Sequence, residues 1–266
     1  MPRFDKQAYY DSIAESYADY VVSPYELGVD LSLPDDVDAW LEAGGEEKVA
    51  VDFGCGAGQS LELIAGRAGR ALGLDFSLGM LTESARRLSD VEGCVRKPLR
   101  PSSLPQWLKG APTNETRFFQ GDLHRLEVFA GSVDLAIASN SITDSTLADS
   151  LHMFEQVAAS VRPGGELLSL FPSWDATEYV MDLVEAAGDA DDELGTLDDE
   201  GVYEIDGLRQ KFWKPEEIEA ACEANGLRVA RLEKILFPWD AMAEAGWGDF
   251  EGEPEMWDWY LRAVRY

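Results

Sequence analysis

The chain has 266 residues, of which 45% are hydrophobic, and this is enough to bury one substantial core and a small appended cap. Its 51 acidic and 22 basic residues give a formal net charge of -29 at pH 7. So negative a surface repels polyanions, which argues against generic binding to DNA, RNA or acidic lipid headgroups. A strongly acidic surface also keeps a protein hydrated in concentrated salt, so we expect a salt-rich cytosol.

The cysteines and the N-terminal segment indicate a reducing, intracellular setting. Cys55, Cys94 and Cys222 are far apart and lack Cys-x-x-Cys spacing, so neither a disulfide framework nor a zinc site is indicated. Residues 1–10 carry charges and aromatic rings where a signal peptide would need an apolar run, and no run approaches membrane-spanning length. We therefore expect a soluble cytoplasmic protein without a membrane partner or a bound metal.

Short apolar runs alternate with helical patterns from Lys48 onward, which is typical of a parallel sheet wrapped by helices. The predicted strands of this region are residues 48–53, 71–75, 116–120, 133–139 and 166–171. Helices are predicted after the glycine cluster that follows the first strand, after a cap at Ser77, and over residues 147–161. The pattern predicts an α/β, doubly wound fold.

The C-terminal third continues the pattern with one helix and two strands. The helix opens at Pro215 and closes at Asn225, and the strands cover residues 227–237 and 257–265. An insertion at 172–212 combines a helical pattern, an acidic loop from Asp189 to Glu200 and one strand at 202–212. We expect a single domain over 1–266, with an N-terminal helical lid at 5–45 and this insertion as a cap.

The turn after the first strand reads Asp52-Phe-Gly54-Cys-Gly56-Ala-Gly58. Glycines at a strand-to-helix turn let backbone N–H groups approach a ligand closely. A dinucleotide fingerprint would need a third glycine at position 59, where Gln59 stands, so an NAD-dependent oxidoreductase is disfavoured. The acid before the turn repels a phosphate but suits a cationic or zwitterionic ligand.

This turn resembles the first motif of the class I S-adenosylmethionine (SAM)-dependent methyltransferases. The other motifs that match in order are Gly73-Leu-Asp75-Phe-Ser77 with Met80-Leu81, Phe119-Gln-Gly-Asp122, and Val161-Arg-Pro-Gly-Gly165. Upstream, residues 10–17 resemble the helix before the core of quinone-biosynthesis and related small-molecule methyltransferases. The resemblance implies a Rossmann-like methyltransferase sheet, mostly parallel with a C-terminal antiparallel strand, and SAM as the cofactor.

The family's motifs imply a set of residues that bind SAM. They are Asp52, Gly54, Cys55, Gly56 and Gly58 around the methionine portion, Asp75 on the ribose, Phe76 against the adenine, Asp122 on the adenine amine, Asn140 near the sulfonium, and Met80 and Leu123 beside them. Some relatives hold the SAM carboxylate with an N-terminal Arg or Lys. None stands between Lys6 and Lys48, so Tyr17 or backbone amides would take that role.

Methyl transfer from a sulfonium needs alignment and exclusion of water more than it needs a base. The two histidines are His124, which could face the cofactor pocket, and His152 on the predicted long helix, and neither is assigned as catalytic. The aromatic residues that could wall an apolar, aromatic or cationic small-molecule acceptor are Tyr9, Tyr10, Trp174, Tyr179, Tyr203, Trp213 and Trp239. A nucleic-acid methyltransferase and a non-catalytic SAM-binding module stay open as alternatives, and the oligomeric state is not specified.

Overall fold

A seven-stranded sheet forms the centre of the molecule, in a computed structural model that describes residues 4–19, 23–25, 27–187, 195–244 and 253–266. The strands in the described residues are β1 (Val49–Phe53), β2 (Arg70–Asp75), β3 (Glu115–Gln120), β4 (Val133–Ser139), β5 (Val161–Pro172), β6 (Thr196–Leu197), β7 (Val202–Ile205), β8 (Leu208–Lys211), β9 (Leu227–Phe237) and β10 (Met256–Arg265). The α-helices are α1 (Lys6–Ile13), α2 (Ser32–Glu42), α3 (Leu78–Arg87), α4 (Leu104–Leu108), α5 (Leu147–Ser160), α6 (Trp174–Ala187), α7 (Pro215–Ala224) and α8 (Trp239–Glu244). Part of the predicted acidic loop at 189–200 lies outside the described residues.

The strand order in the large sheet is β3-β2-β1-β4-β5-β10-β9. The pairs among β1 to β5 are parallel, whereas β10 runs antiparallel to both β5 and β9. The predicted doubly wound sheet with an antiparallel C-terminal strand is confirmed. The order reverses between β1 and β4, and such a switch point leaves a crevice at the carboxyl ends of the strands.

Helices cover both faces of the sheet, which explains why its central strands read as continuous apolar runs. On one face Val51 and Phe53 of β1 pack with side chains of α4, α5 and α7. On the other, Ala50 of the same strand packs with α2 and α3. Every residue of β1 and β2 is buried.

The strongest helical pattern forms α5, in which Phe154 and Val157 are fully buried. The hydroxyl of Thr146 caps the start of this helix by accepting the backbone N–H of Asp149. The cap predicted at Ser77 is also confirmed, because its hydroxyl accepts the N–H of Met80. Both helices begin where the first unpaired N–H groups find a side-chain acceptor.

The helix predicted after the glycine turn is wrong. Residues 60–68 form a 3-10 turn at Leu61–Leu63 and irregular turns, in which Leu63 bonds to Ser60 and Ala65 bonds to Leu61. Gly66 then takes a φ of +68°, which a continuing right-handed helix does not allow. The apolar side chains still reach the core, since Leu61 and Ile64 are fully buried.

The single strand predicted at 202–212 is a hairpin of β7 and β8, joined to β6 in a small antiparallel sheet. Asp206 and Gly207 turn the chain with φ values of +52° and +82°. Asp-Gly between apolar residues is a strong two-residue hairpin signal, because both positions need positive φ. The signal was present in the sequence and was missed.

Candidate functional site

A cleft of about 1240 Å³ opens at the carboxyl ends of β1 to β4. Its wall takes one contribution from each strand end: Gly54 after β1, Asp75 at the end of β2, Gly121 after β3 and Asn140 after β4. This is the switch point of the sheet, where ligands bind in open α/β folds.

The glycine turn is built so that its middle residue faces open space. A Cβ on Gly54 would lie 2.4 Å from the Cβ of Ser141, and one on Gly58 would lie 2.5 Å from the hydroxyl of Ser84. A Cβ on Gly56 would meet nothing within 4 Å, although its φ is +49°. Gly54 and Gly58 are therefore required by packing, whereas Gly56 leaves room for a ligand against the backbone.

Asp75 connects β2 to the glycine turn. Its Oδ2 accepts the N–H of Gly56 at 2.9 Å and its Oδ1 accepts the N–H of Ser77 at 2.8 Å. Burial raises the pKa of Asp75 to about 6. Each carboxylate oxygen has a second lone pair, so the group can still accept hydrogen bonds from a ligand.

Asp52 lies behind the turn and not in the wall of the cleft. It is fully buried, its Oδ2 accepts the hydroxyl of Ser60 at 2.7 Å, and its Oδ1 has no partner among the described residues. Burial raises the pKa of Asp52 to about 7. Cys55, which is buried against Gly73, and Gly58 also lie behind the wall.

Most residues that the motifs single out do come together. Those that line the cleft are Tyr17, Gly54, Gly56, Asp75, Phe76, Met80, Asp122, Leu123 and Asn140. Of the aromatic residues considered as acceptor walls, Tyr10 lines the cleft, whereas Trp213 is a core residue whose indole N–H donates to Ile142. Burial raises the pKa of Tyr17 to about 12, so this phenol stays neutral.

The N-terminal helix α1 and the β7–β8 hairpin meet over the cleft. Tyr10 packs edge-on against Phe76, with ring centroids 5.7 Å apart, and its hydroxyl accepts the side-chain amide of Gln210 at 3.1 Å. Lys6 reaches the opposite wall, where its ammonium lies 3.1 Å from the carboxylate of Asp144. Through these contacts, α1 and the β7–β8 hairpin, which are far apart in sequence, together form a roof over the cleft.

A polar chain runs along the wall opposite the glycine turn. His124 places Nδ1 2.9 Å from Oδ1 of Asp122 and Nε2 3.0 Å from Oδ2 of Asp144, which also binds Lys6. Burial opposes ionisation of Asp144, but Lys6 and the N–H of Ser145 outweigh it and lower the pKa of this carboxyl. Both nitrogens of His124 are engaged, so the ring would have to leave one carboxylate to act as a base.

Local sequence patterns do not indicate two acids that shape the site, Asp11 and Asp258. Asp11 binds the start of α3, and Asp258 binds Asn140 from β10. Both contacts join residues more than sixty positions apart, which local patterns do not report. Within the described ranges no group of three or more His, Cys, Asp and Glu side chains is placed to hold a metal ion, and no helix is long and apolar enough to cross a membrane.

Residues 51–169 match the family model of the methyltransferase domain. Similar structures include the magnesium protoporphyrin IX methyltransferase of Synechocystis with bound S-adenosylhomocysteine (SAH), at 18% identity over 98% of this chain and 97% of that chain, TM-score 0.57. A complex of the Trm112 methyltransferase activator of Haloferax volcanii with a methyltransferase aligns at 18% identity over 96% of both chains, TM-score 0.55. Geranyl diphosphate methyltransferase with SAM aligns at 15% identity over 88% and 85%, TM-score 0.54. No curated protein matches the sequence.

At these identities the similar structures establish the fold, and the matched domain establishes the chemistry. The glycine turn after β1, the acid that ends β2 and the sheet order are those of an enzyme that binds a nucleoside cofactor. The chain contains a methyltransferase domain over residues 51–169, and the comparisons support a SAM-dependent methyltransferase with SAM as its cofactor.

Proposed function

We propose that the enzyme methylates a small molecule bound beside SAM in the roofed cleft. The observation that carries the proposal is the size of the cleft: about 1240 Å³ exceeds the roughly 300–1,000 Å³ of a pocket for one small ligand. The lid at 5–45 and the cap at 172–212 would enclose the acceptor. A single domain spanning 1–266 would supply both halves of the site.

The described residues fit SAM in the end of the cleft formed by the glycine turn. Gly56 leaves a cradle that a Cβ would fill, and the buried Oδ1 atoms of Asp52 and Asn140 lack partners among the described residues. Asp75 would accept the ribose hydroxyls, Asp122 the adenine amine, and Phe76 would pack on the adenine. Asp52 lies behind the turn and would act on SAM through the electric field of its carboxylate. Cys55 and Gly58 would contribute by holding the backbone of the turn in shape.

SAM supplies an electrophilic methyl group on a positively charged sulfur. The chain's own contribution is to hold the acceptor in line with that carbon and to exclude water. The acceptor would occupy the other end of the cleft, which is lined by Lys6, His124, Arg125, Asp144, Thr146 and Met153. Because this end carries both charges and apolar side chains, it suits an amphipathic or zwitterionic acceptor.

Two of the similar structures are named for small-molecule substrates, a magnesium porphyrin and geranyl diphosphate. The net charge of -29 and the roof over the cleft disfavour a nucleic acid as acceptor. The kinship of residues 10–17 with quinone-biosynthesis enzymes stays a prediction, as do a cytoplasmic location and a salt-rich cytosol.

The acceptor can be identified with isotopically labelled SAM. The protein is incubated with a metabolite extract and methyl-labelled SAM, and products are identified by mass spectrometry against Asp75→Asn as the inactive control. A labelled product below about 1 kDa that forms only with the wild type supports the proposal. Label found only in RNA or protein of the same extract would overturn it.

A further inference from the structure

Asn140 and Asp258 form a buried pair where β4 enters the cleft. The side-chain Nδ2 of Asn140 donates to Oδ2 of Asp258 at 2.9 Å. Asp258 lies in β10, opposite Pro172 at the end of β5, and is only 5% exposed. The antiparallel end of the sheet thus places a carboxylate directly behind a wall residue of the cleft.

The carboxylate determines which way the amide faces. Burial raises the pKa of Asp258 to about 6, so the group is ionised at neutral pH, and the N–H of Ser173 holds it in place. An ionised carboxylate only accepts hydrogen bonds. Asn140 must therefore turn its nitrogen toward Asp258 and its oxygen away from it.

The side-chain oxygen of Asn140 is buried and has no hydrogen-bond partner among the described residues. Buried polar atoms are nearly always hydrogen-bonded or paired, so this acceptor points to a positive or donating group that arrives with a ligand. The backbone of Asn140 has a φ of +48°, an uncommon value that Asn tolerates, and its N–H is fixed on Leu170. The side chain is therefore held from both its backbone and its amide end.

We propose that Asp258 is a positioning residue that fixes the amide oxygen of Asn140 toward the positive sulfur of SAM and thereby favours SAM over the neutral product, SAH. The inference rests on the proposed placement of SAM in this cleft. SAM and SAH share every group except the methyl and its charge. A buried negative charge behind a fixed amide dipole acts on that difference, because electrostatic attraction is stronger in a protein than in water.

The test is the ratio of the dissociation constants of SAH and SAM, measured by calorimetry at about pH 7.5, above the raised pKa of Asp258. Asp258→Asn keeps the size of the side chain, removes its charge and lets the two amides pair either way round. We expect the ratio to fall about fivefold or more, since SAM affinity drops while SAH affinity holds. An equal loss for both ligands would mean a structural role and would overturn the proposal.

Asn140→Gly provides a second variant if Asp258→Asn does not fold, because glycine accepts the positive φ and removes the amide. It should lower the ratio similarly, and the double variant should lower it no further than either single one. Additive effects would show that the two residues act independently and would contradict the proposal.

Asp134→Asn is the matched control. Asp134 is a buried acid in β4 at the opposite end of the strand, where it accepts the N–H of Val49 and pairs with Arg162. This change should leave the ratio unaltered. If Asp75→Asn also leaves both affinities at the wild-type value, the placement of SAM itself fails. If Asp75→Asn weakens binding but Asp258→Asn leaves the ratio intact, only the present inference fails.

Discussion

Oδ1 of Asp11 accepts a hydrogen bond from the hydroxyl of Ser77, with 2.6 Å between the two oxygens, and through this contact α1 docks on the start of α3. The same carboxylate oxygen accepts the N–H of Gly79 at 2.9 Å, and the Ser77 hydroxyl bond, with that N–H, lowers the pKa of Asp11. A negative charge is favourable at a helix N-terminus. Helix α1, which belongs to the proposed lid, is thus attached beside Asp75, the acid proposed to bind the ribose.

Removing this attachment should weaken cofactor binding without unfolding the core. For Asp11→Asn we expect the dissociation constant of SAM to rise about threefold to tenfold, because a partly exposed charged hydrogen bond contributes about 1 kcal/mol. Calorimetry measures the change, and Glu15→Gln, an exposed acid on the same segment, is the control. Equal affinities for Asp11→Asn and the wild type would show that the lid does not assist binding.

Gly56 allows SAM binding and folding to be tested separately, because a side chain at this position would meet no protein atom nearby. Gly56→Ala should fold, at a cost of about 1–2 kcal/mol for a left-handed alanine, but should lose SAM affinity because the new methyl enters the cleft. Gly131→Ala is the matched control for Gly56→Ala. Gly131 has a φ of +59°, a Cβ there would also meet nothing within 4 Å, and the residue does not line the cleft. Similar melting temperatures with different affinities are expected. Unchanged affinity in Gly56→Ala would contradict the placement of the ligand.

The buried acids of the site predict a pH dependence of stability. Burial raises the pKa of Asp52 to about 7 and that of Asp75 to about 6, above their ordinary 3.8. The folded chain then binds protons more tightly than the unfolded chain, so the free energy of unfolding falls as pH rises through these values. The melting temperature of the ligand-free protein should therefore decrease between about pH 5 and about pH 8.

Asp52→Asn should flatten this decline, because the amide carries no charge at any pH. An exposed substitution such as Asp90→Asn should leave the slope as it is in the wild type. A wild-type protein that is equally stable at both ends of the range, or a slope untouched by Asp52→Asn, would count against the assignment.

The excess of acidic residues predicts a dependence on salt. With a formal charge of -29, self-repulsion should destabilise the fold in dilute buffer and be screened by concentrated KCl. We expect the melting temperature to rise by several degrees between about 0.1 M and about 2 M KCl, and scanning calorimetry measures it. Equal stability at both concentrations would overturn the proposal of a salt-rich cytosol.

Sequence patterns predicted the sheet well because its strands are buried on both faces and bounded by turns. The seven strands of the large sheet and α5 were predicted within a few residues, except that β5 begins at Val161, before its predicted start. The errors are local: Gly66 interrupts the helix predicted after the glycine turn, and Asp206 with Gly207 folds the predicted strand into a hairpin.

Sequence patterns predicted only part of the candidate site. Motif spacing identified Asp75 and Gly56, which do line one cleft, but it could not tell that Asp52 lies behind the turn. Spacing reports which residues share a turn, not which side of it meets a ligand. Asp11 and Asp258 were missed because their partners lie far away along the chain, and only the folded structure brings them together.

We propose that the cleft holds SAM through the glycine turn and Asp75. The most direct measurement is calorimetric titration of SAM into the wild type, Asp75→Asn and the exposed control Asp90→Asn. We expect Asp90→Asn to bind as the wild type does and Asp75→Asn to bind at least about tenfold more weakly, the effect of roughly 1.4 kcal/mol. Undiminished binding by a folded Asp75→Asn variant would contradict the proposed placement of SAM.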